Sequence, residues 1–256
     1  MNDFAYETYY LGLRTMRRFL RVPANWISII FFPLIQLFAF SQIYQDIVQL
    51  PGFGGESSYL AYLAPGQIAF TSVMAVAWSG YGLLIEYRTG YLDKLRASPI
   101  GRWSILAGEM VPLFFQAAAM AGILLIVSLL LGASMVTGVG GFLLILLLSG
   151  AFGIALAGSN FVPALLTKSE QATSTISLLV FPLVFISTAF VPQALMPGWL
   201  QLFSRWNPVT HVIEAIRALM VTGYDWGAIG TSLLSMAIMG VVLQAATLWS
   251  FHRLAR

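Results

Sequence analysis

Six long apolar stretches alternate with short polar segments that hold nearly all of the Lys and Arg, and this alternation constrains the chain more than any motif in it. Hydrocarbon cannot solvate a bare peptide group, so a segment that crosses a bilayer must satisfy its own backbone as a helix of roughly 20 mostly apolar residues. The stretches at 27–46, 62–85, 105–131, 138–160, 173–191 and 227–250 meet that requirement and predict an all-α integral membrane protein with six transmembrane helices. Only 9% of the residues are charged, far below a soluble domain, and the mean hydropathy is +0.83. Six spans and their connections take up the 256 residues, which predicts one transmembrane domain, 1–256, with no separate globular unit.

An even number of spans puts both termini on one side. Placing them inside assigns Arg14, Arg17, Arg18, Arg21, Arg88, Lys94, Arg96, Arg102, Lys168, Arg253 and Arg256 to the cytoplasm and leaves only Arg205 and Arg217 outside. The net charge of +3 is therefore a topology signal, and no nucleic-acid partner is expected. In the cytoplasmic segment 1–24, Tyr6, Tyr9, Tyr10, Leu13, Met16 and Leu20 recur at helical spacing beside Arg14, Arg18 and Arg21. An amphipathic helix on the inner membrane surface is predicted, ended by a bend at Pro23, with Trp26 anchoring the first span. No cleavage site follows this basic flank, so the first span is expected to be retained. Pro51, Gly52, Gly54 and Gly55 mark an external loop and Gly132 to Gly138 a tighter external turn. In the fourth span Gly150, Gly153 and Ala157, with Ala151, Ala155 and Ser159, give faces that a neighbouring helix can approach closely.

The spans are nearly bare of ionisable groups: Asp46 stands at the outer limit of the first, and Glu109 is the one acid further inside a span, about one turn from the cytoplasmic end where interfacial water is in reach. That argues against a self-contained ion-coupled carrier or channel, the first alternative reading. There is no G-x-x-x-x-G-K-[ST] loop, so any nucleotide must be hydrolysed by another chain. Cys is absent and His211 and His252 are expected on opposite sides, which leaves no metal site. Ala77-Trp78-Ser79-Gly80 lacks the first Gly of an intramembrane hydrolase's G-x-S-G, the second alternative, and no His in a span could activate Ser79. Ser79 and Gly80 read as a close-packing position.

The first cytoplasmic loop, 86–104, mixes Glu86, Arg88, Asp93, Lys94 and Arg96 with spaced apolar residues. Tyr91, Leu92 and Leu95 lie at helical spacing, Gly90 permits the turn into a short helix, and Ser98-Pro99 ends it, so a helix lying across the membrane exit is expected. Glu86, Gly90, Leu95, Pro99 and Ile100 form an E-x-x-x-G-x-x-x-x-L-x-x-x-P-I pattern that resembles the membrane subunits of type-2 ATP-binding-cassette exporters. By that resemblance Tyr91 to Ser98 is the coupling helix that docks into an ATPase subunit, with Leu95 on its docking face. A second likeness to the same family is the series Phe190-Val191-Pro192, Pro197-Gly198-Trp199-Leu200, Asn207-Pro208-Val209-Thr210 and Glu214-Ala215-Ile216-Arg217. It implies an external cap of re-entrant helices over 192–226; Pro192, Pro197 and Pro208 break that segment, and Arg205, Glu214 and Arg217 oppose its crossing the bilayer. Within the family, Tyr62-Leu63-Ala64-Pro65-Gly66 and Gly90 to Leu95 look most like the daunorubicin-resistance-type and lipo-oligosaccharide permeases, with Asp93-Lys94 where many relatives carry Asp-Arg or Glu-Arg.

The resemblance implies a permease subunit of an ATP-driven exporter in a bacterial or archaeal cell membrane. Two such subunits, identical or paralogous, would each receive an ATPase that carries the ATP and Mg2+, and this chain would hold no cofactor and be no enzyme. Surrounded by membrane lipid, it would export an amphipathic drug, lipid or glycolipid by alternating access. Candidates for the cavity wall are Phe31, Phe32, Gln36, Phe38 and Phe40, then Gln67, Phe70 and Trp78, then Phe181 and Phe185, because aromatic faces with scattered amides suit such cargo better than an ion. Pro33 and Pro182 are candidate kinks beside it.

Overall fold

The computed structural model describes residues 2–49, 53, 58–77 and 79–253, with the side chains of all but Asn2, Asp3, Asn25, Arg96, Arg102 and His252. Trp78, Pro51, Gly52, Gly54, Gly55 and Arg256 lie outside the described residues. Among those described, every regular element is helical.

Helix α1 (Asn2–Leu20) ends just before Val22, which takes φ −117° and ψ 88° because a residue ahead of proline is driven out of helical geometry. Pro23 then opens α2 (Pro23–Ile43), where its missing N–H leaves no helical bond unmade. Trp26 Nε1 donates to the Phe19 carbonyl at 3.0 Å and its ring stacks on Phe19 at 5.7 Å, so the elbow is fixed from both sides. After a 3-10 turn at Gln45–Gln49, Ser58 caps α3 (Tyr59–Val76) by accepting the Ala61 N–H. Helices α3 and α4 (Ser79–Arg88) together make the second span. Gly90, at φ 68°, turns the chain into the short α5 (Tyr91–Ala97). Next come α6 (Arg102–Leu130) and α7 (Gly138–Thr167), of 29 and 30 residues, long enough at ~1.5 Å per residue to cross a ~30 Å hydrocarbon core with a turn to spare. The fourth span runs past its expected end at 160 because Pro163 is carried inside the helix, as proline often is where neighbouring helices support the backbone.

The fifth span departs most from expectation. Instead of one helix over 173–191 there are two short ones, α8 (Glu170–Leu178) and α9 (Phe181–Phe185), after which the chain leaves helical geometry. Pro182 has no N–H to offer the Leu178 carbonyl and crowds the preceding turn, so the helix stops and restarts with proline near its new beginning. Among the described residues five helices are long and apolar enough to cross a membrane, and Glu170–Phe185 is a shorter apolar segment beside them. A 3-10 turn at Gln193–Leu195, α10 (Gly198–Trp206), α11 (Pro208–Arg217) and a π-helical turn at Ala218–Thr222 lead into the last span, α12 (Trp226–Arg253).

Helix α7 is central, packed antiparallel to α6 and parallel to α12, with α3 enclosed beside it. Two membrane helices gain little from the hydrophobic effect against each other, so close backbone approach must supply the contact, and the small residues of α7 permit it. Gly153 faces Ala117 of α6, while Ala155 and Gly158 face Gly240 and Leu243 of α12. A β-carbon at Gly158 would lie 2.6 Å from the Leu243 carbonyl oxygen, where backbone on both sides leaves nothing flexible to yield. Gly158→Val is therefore expected to cost about 1–3 kcal/mol, read as a lowered unfolding temperature in detergent. Helices α2 and α12 form the periphery, turning Ile27, Phe31, Ile35 and Phe38, and Leu234, Val241 and Val242, outward. One end of the bundle gathers α1, the α4–α5 loop and the α7–α8 turn with their basic residues; the other carries the cap.

Candidate functional site

At the basic end, α5 sits between the spans it joins and shows two unlike faces. Leu92 and Leu95 are 0% and 8% exposed and belong to the core, whereas Asp93 and Lys94 are exposed and Tyr91 is half-buried. This corrects the placement of Leu95 on a docking face: the leucines anchor the helix, and the charged residues between them are what it presents. Ser98 Oγ closes the helix on the Leu95 carbonyl at 2.6 Å, ahead of the exposed Pro99.

Helix α1 straps both ends of this loop. At the entrance, Glu86 is buried at the foot of α4 and ion-paired with Arg14, with Arg18 at 3.5 Å. The Arg14 guanidinium also lies 4.0 Å over the Tyr91 ring, tying the same arginine to α5. At the exit, the Gly101 N–H donates to Glu7 Oε2 at 3.1 Å, and Thr15 Oγ1 donates to Glu109 Oε1 at 2.9 Å, with Arg14 3.7 Å from the same carboxylate. Glu109 is thus held by α1 rather than simply reaching interfacial water. The strap fits because Gly108 lets α1 close in: a β-carbon there would meet the Leu11 β-carbon at 2.5 Å. The face of α1 used is Leu11, Gly12 and Thr15, while Tyr6, Tyr9, Tyr10 and Leu20 stay exposed, as do Arg17 and Arg21. The sequence reading found the second face and missed the first, whose only signal was the pairing of Arg14 and Arg18, one helical turn apart, with an acid at the head of the loop. The side chain of Arg96 lies outside the described residues. On the other side of α4, Arg88 is ion-paired with Glu170 at the start of α8.

At the cap end, the non-helical stretch after α9 is pinned to α3 and α11. The Thr188 carbonyl accepts from Tyr62 Oη at 2.9 Å and from Arg217 Nη2 at 2.8 Å, and Arg217 Nη2 also reaches the Tyr62 carbonyl at 3.3 Å. Thr188 Oγ1 donates to Glu214 Oε1, which pairs with Arg217 Nη1 at 2.6 Å, closing a ring through the two residues. The Arg217 guanidinium lies 4.1 Å over the Tyr62 ring, and Tyr59 Oη donates to the Phe190 carbonyl at 3.0 Å. Gly66 admits the strand of chain, since a β-carbon there would lie 2.5 Å from the Ala189 carbonyl oxygen. Asn207 caps α11 through the Val209 N–H at 3.0 Å and donates from Nδ2 to the Leu183 carbonyl, with Pro208 at the first helical position. Pro192 and Pro197 precede the two shorter cap helices, and Trp199 is exposed on α10.

The cavity candidates divide. Phe70 of α3 is fully buried between Phe32 of α2 and Phe181 of α9, with ring centroids at 6.1 and 5.8 Å. Gln67, one turn away, is 0% exposed with no hydrogen-bond partner for either amide atom among the described residues, and Gln36 is buried on α2. Phe31, Phe38 and Phe185 face outward, Phe185 stacking on Phe190 at 5.4 Å, with Phe40 also against Phe190. These residues form a wall rather than an enclosed chamber. A separate open apolar groove of about 530 Å³ lies between α6, α7 and α12, lined by Phe114, Ile154, Met236 and Gly240 and by none of the candidates.

Comparison with known proteins bears on the same segments. Residues 6–221 match the family described as ABC-2 type transporter. The chain is 28% identical over 215 residues to the daunorubicin resistance ABC transporter permease protein DrrB1 of Streptomyces coeruleorubidus, covering 81% of this chain and 72% of that one. It is 32% identical over 228 residues to a chain named as transport permease ycf38 in Cyanophora paradoxa, covering 84% and 74%. Against the "Probable multidrug ABC transporter permease YbhR" of Escherichia coli (strain K12) it is 23% identical over 197 residues, 76% of this chain and about half, 53%, of that one. A family match that runs from α1 through the α4–α5 loop to the turn after α11, on a bundle of helices long and apolar enough to cross a membrane, makes this chain a member of the ABC-2 type transporter permeases.

Proposed function

We propose that this permease works as one of two membrane subunits, identical or paralogous, each receiving a cytoplasmic ATPase that supplies ATP and Mg2+, and that it exports an amphipathic drug, lipid or glycolipid. The observation that carries the reading is the strapped loop: α5 is anchored by Leu92 and Leu95, tied by Arg14 and Glu86 to α1, and left with Asp93 and Lys94 facing away from the bundle. A helix fixed so firmly to its own spans passes a push from a docked partner into those spans as rigid-body motion. In this reading the basic end is cytoplasmic, in a bacterial or archaeal cell membrane, and the exposed tyrosines of α1 rest on the inner leaflet. The drug or lipid class rests on the names of the relatives and on the aromatic wall. Phe31, Phe38 and Phe185 face out of the single chain, so a second subunit across α2 and α9 would close the wall into a chamber containing Gln67 and Phe70.

The test is co-purification. Lys94→Glu reverses an exposed charge on the presented face without touching the anchors, and it is expected to reduce recovery of the ATPase subunit and its permease-dependent ATP hydrolysis several-fold while the permease elutes and melts as wild type. Unchanged association would move docking off α5. Absence of any ATPase with the wild-type chain would count against the ATP-driven reading itself.

A further inference from the structure

We infer that Arg88 and Glu170 are a positioning pair through which displacement of α5 reaches the broken fifth span, an assignment that rests on the ATP-driven reading above. Beyond the two-residue turn Thr89-Gly90, α5 continues from α4, so whatever moves α5 moves the foot of α4. That foot is joined to α8 by a built contact. Glu170, the first residue of α8, is ion-paired with Arg88 through one carboxylate oxygen, and Tyr81 Oη reaches its other oxygen at 3.4 Å, about two helical turns back along α4. The adjoining turn adds Lys168, whose ammonium lies 4.9 Å from the Tyr87 ring and whose backbone is left-handed at φ 53°. Deeper in, Gly80 of α4 is pressed onto the Asn160 carbonyl of α7 and near the Thr173 methyl group of α8, leaving no room for a β-carbon, and Ser177 of α8 donates to Asn160 Oδ1.

Helix α4 is therefore gripped on two sides by opposite charges, Glu86 toward α1 and Arg88 toward α8. The second grip matters mechanically because α8 is short and stops at residues 179–180, where Pro182 interrupts the helix. A continuous helix would carry a push at its foot along its whole length; here the interruption is a natural pivot between α8 and the aromatic wall at Phe181. The pair Arg88–Glu170 sits at the free end of that lever. Both side chains are about half exposed, so the pair contributes little to folding, and its removal should register in transmission rather than in stability.

The experiment uses Arg88→Glu, Glu170→Arg and the double exchange, each reconstituted with the ATPase in liposomes and assayed with daunorubicin as the probe for drug transported per ATP hydrolysed. The absence of native Cys allows spin labels at Thr89→Cys and Gln171→Cys to report the α4–α8 distance in the same samples. Each single variant is expected to keep the ATPase bound, lose several-fold in transport per ATP, and widen the 89–171 distance when ATP is trapped; the double exchange is expected to restore both. Single variants equal to wild type in both readouts would overturn the assignment, and so would loss of ATPase binding, which would make the pair a docking element, or an exchange that restores neither. A wild-type complex that hydrolyses no ATP or moves no probe would instead fault the ATP-driven export of this probe, a result distinguishable because it precedes any variant.

Discussion

Arg217→Met is expected to destabilise the permease by about 2–4 kcal/mol and to loosen its cap while leaving the basic end intact. Arg217 is 8% exposed, and its guanidinium serves four groups at once: the Thr188 and Tyr62 carbonyls, the Glu214 carboxylate and the Tyr62 ring. Methionine keeps the apolar stem and removes every donor. The Thr188 carbonyl would retain only the Tyr62 hydroxyl, and Glu214 would keep Thr188 but lose its cation; because Glu214 is 43% exposed, water recovers part of that loss, which sets the figure below that of a fully buried pair. Arg217→Lys should recover little, since an ammonium cannot fork between a carbonyl and a carboxylate or stack on Tyr62. The measurement is thermal unfolding in detergent together with protease sensitivity of 186–226. The stretch after α9 should become cleavable in Arg217→Met while ATPase co-purification is retained. A variant as stable and as protected as wild type would show that the cap is held by α11 packing alone.

The helices were legible in the sequence because a bilayer imposes a length and a composition that few other contexts demand, and the small-residue faces of α7 were legible because membrane helices need close approach. The fifth span was not. Its apolar length predicted one helix, and the local effect of Pro182 on the Leu178 turn outweighed hydropathy. The short helix in the loop 86–104 was legible, but its faces were not: leucines at helical spacing look equally suited to a partner and to the chain's own core, and tertiary packing puts Leu92 and Leu95 in the core. The contacts of α1 and of the cap, Arg14 with Glu86 and Arg217 with Thr188, join residues 72 and 29 positions apart, for which a single sequence carries no pairing signal. Arg217 was marked as a polar residue of the cap, yet its role as the central fastener depends on Gly66 letting the chain after α9 lie against α3.

Glu86→Ala should release α1 from the loop and separate ATP hydrolysis from transport. The Glu86 side chain is 6% exposed and answers Arg14 and Arg18, which are 35% and 48% exposed, so its loss takes the carboxylate from two part-wet arginines and leaves Arg14 with Glu109 and Tyr91. Allowing for that water, the cost to stability is about 1–3 kcal/mol, less than a fully buried pair would impose. The consequence for function is larger than the energy suggests, because Arg14 is the residue common to α4, α5 and α6 through Glu86, Tyr91 and Glu109. With Glu86 removed, α4 loses its ion pair to α1, and α5 keeps its leucine anchors but is joined to α1 through the Arg14–Tyr91 contact alone, too weak to make it move with α1. Limited trypsin digestion should cut at Arg14, Arg17 or Arg18 in the variant under conditions that spare wild type, and drug moved per ATP should fall while the ATPase stays bound. Arg14→Met should behave alike, and in Arg14→Met/Glu86→Ala the stability loss should be smaller than the sum of the single losses, since each single change already breaks the same pair. Strict additivity would mean that the two residues act separately and that α1 is held by the Gly12–Gly108 packing without help from charge.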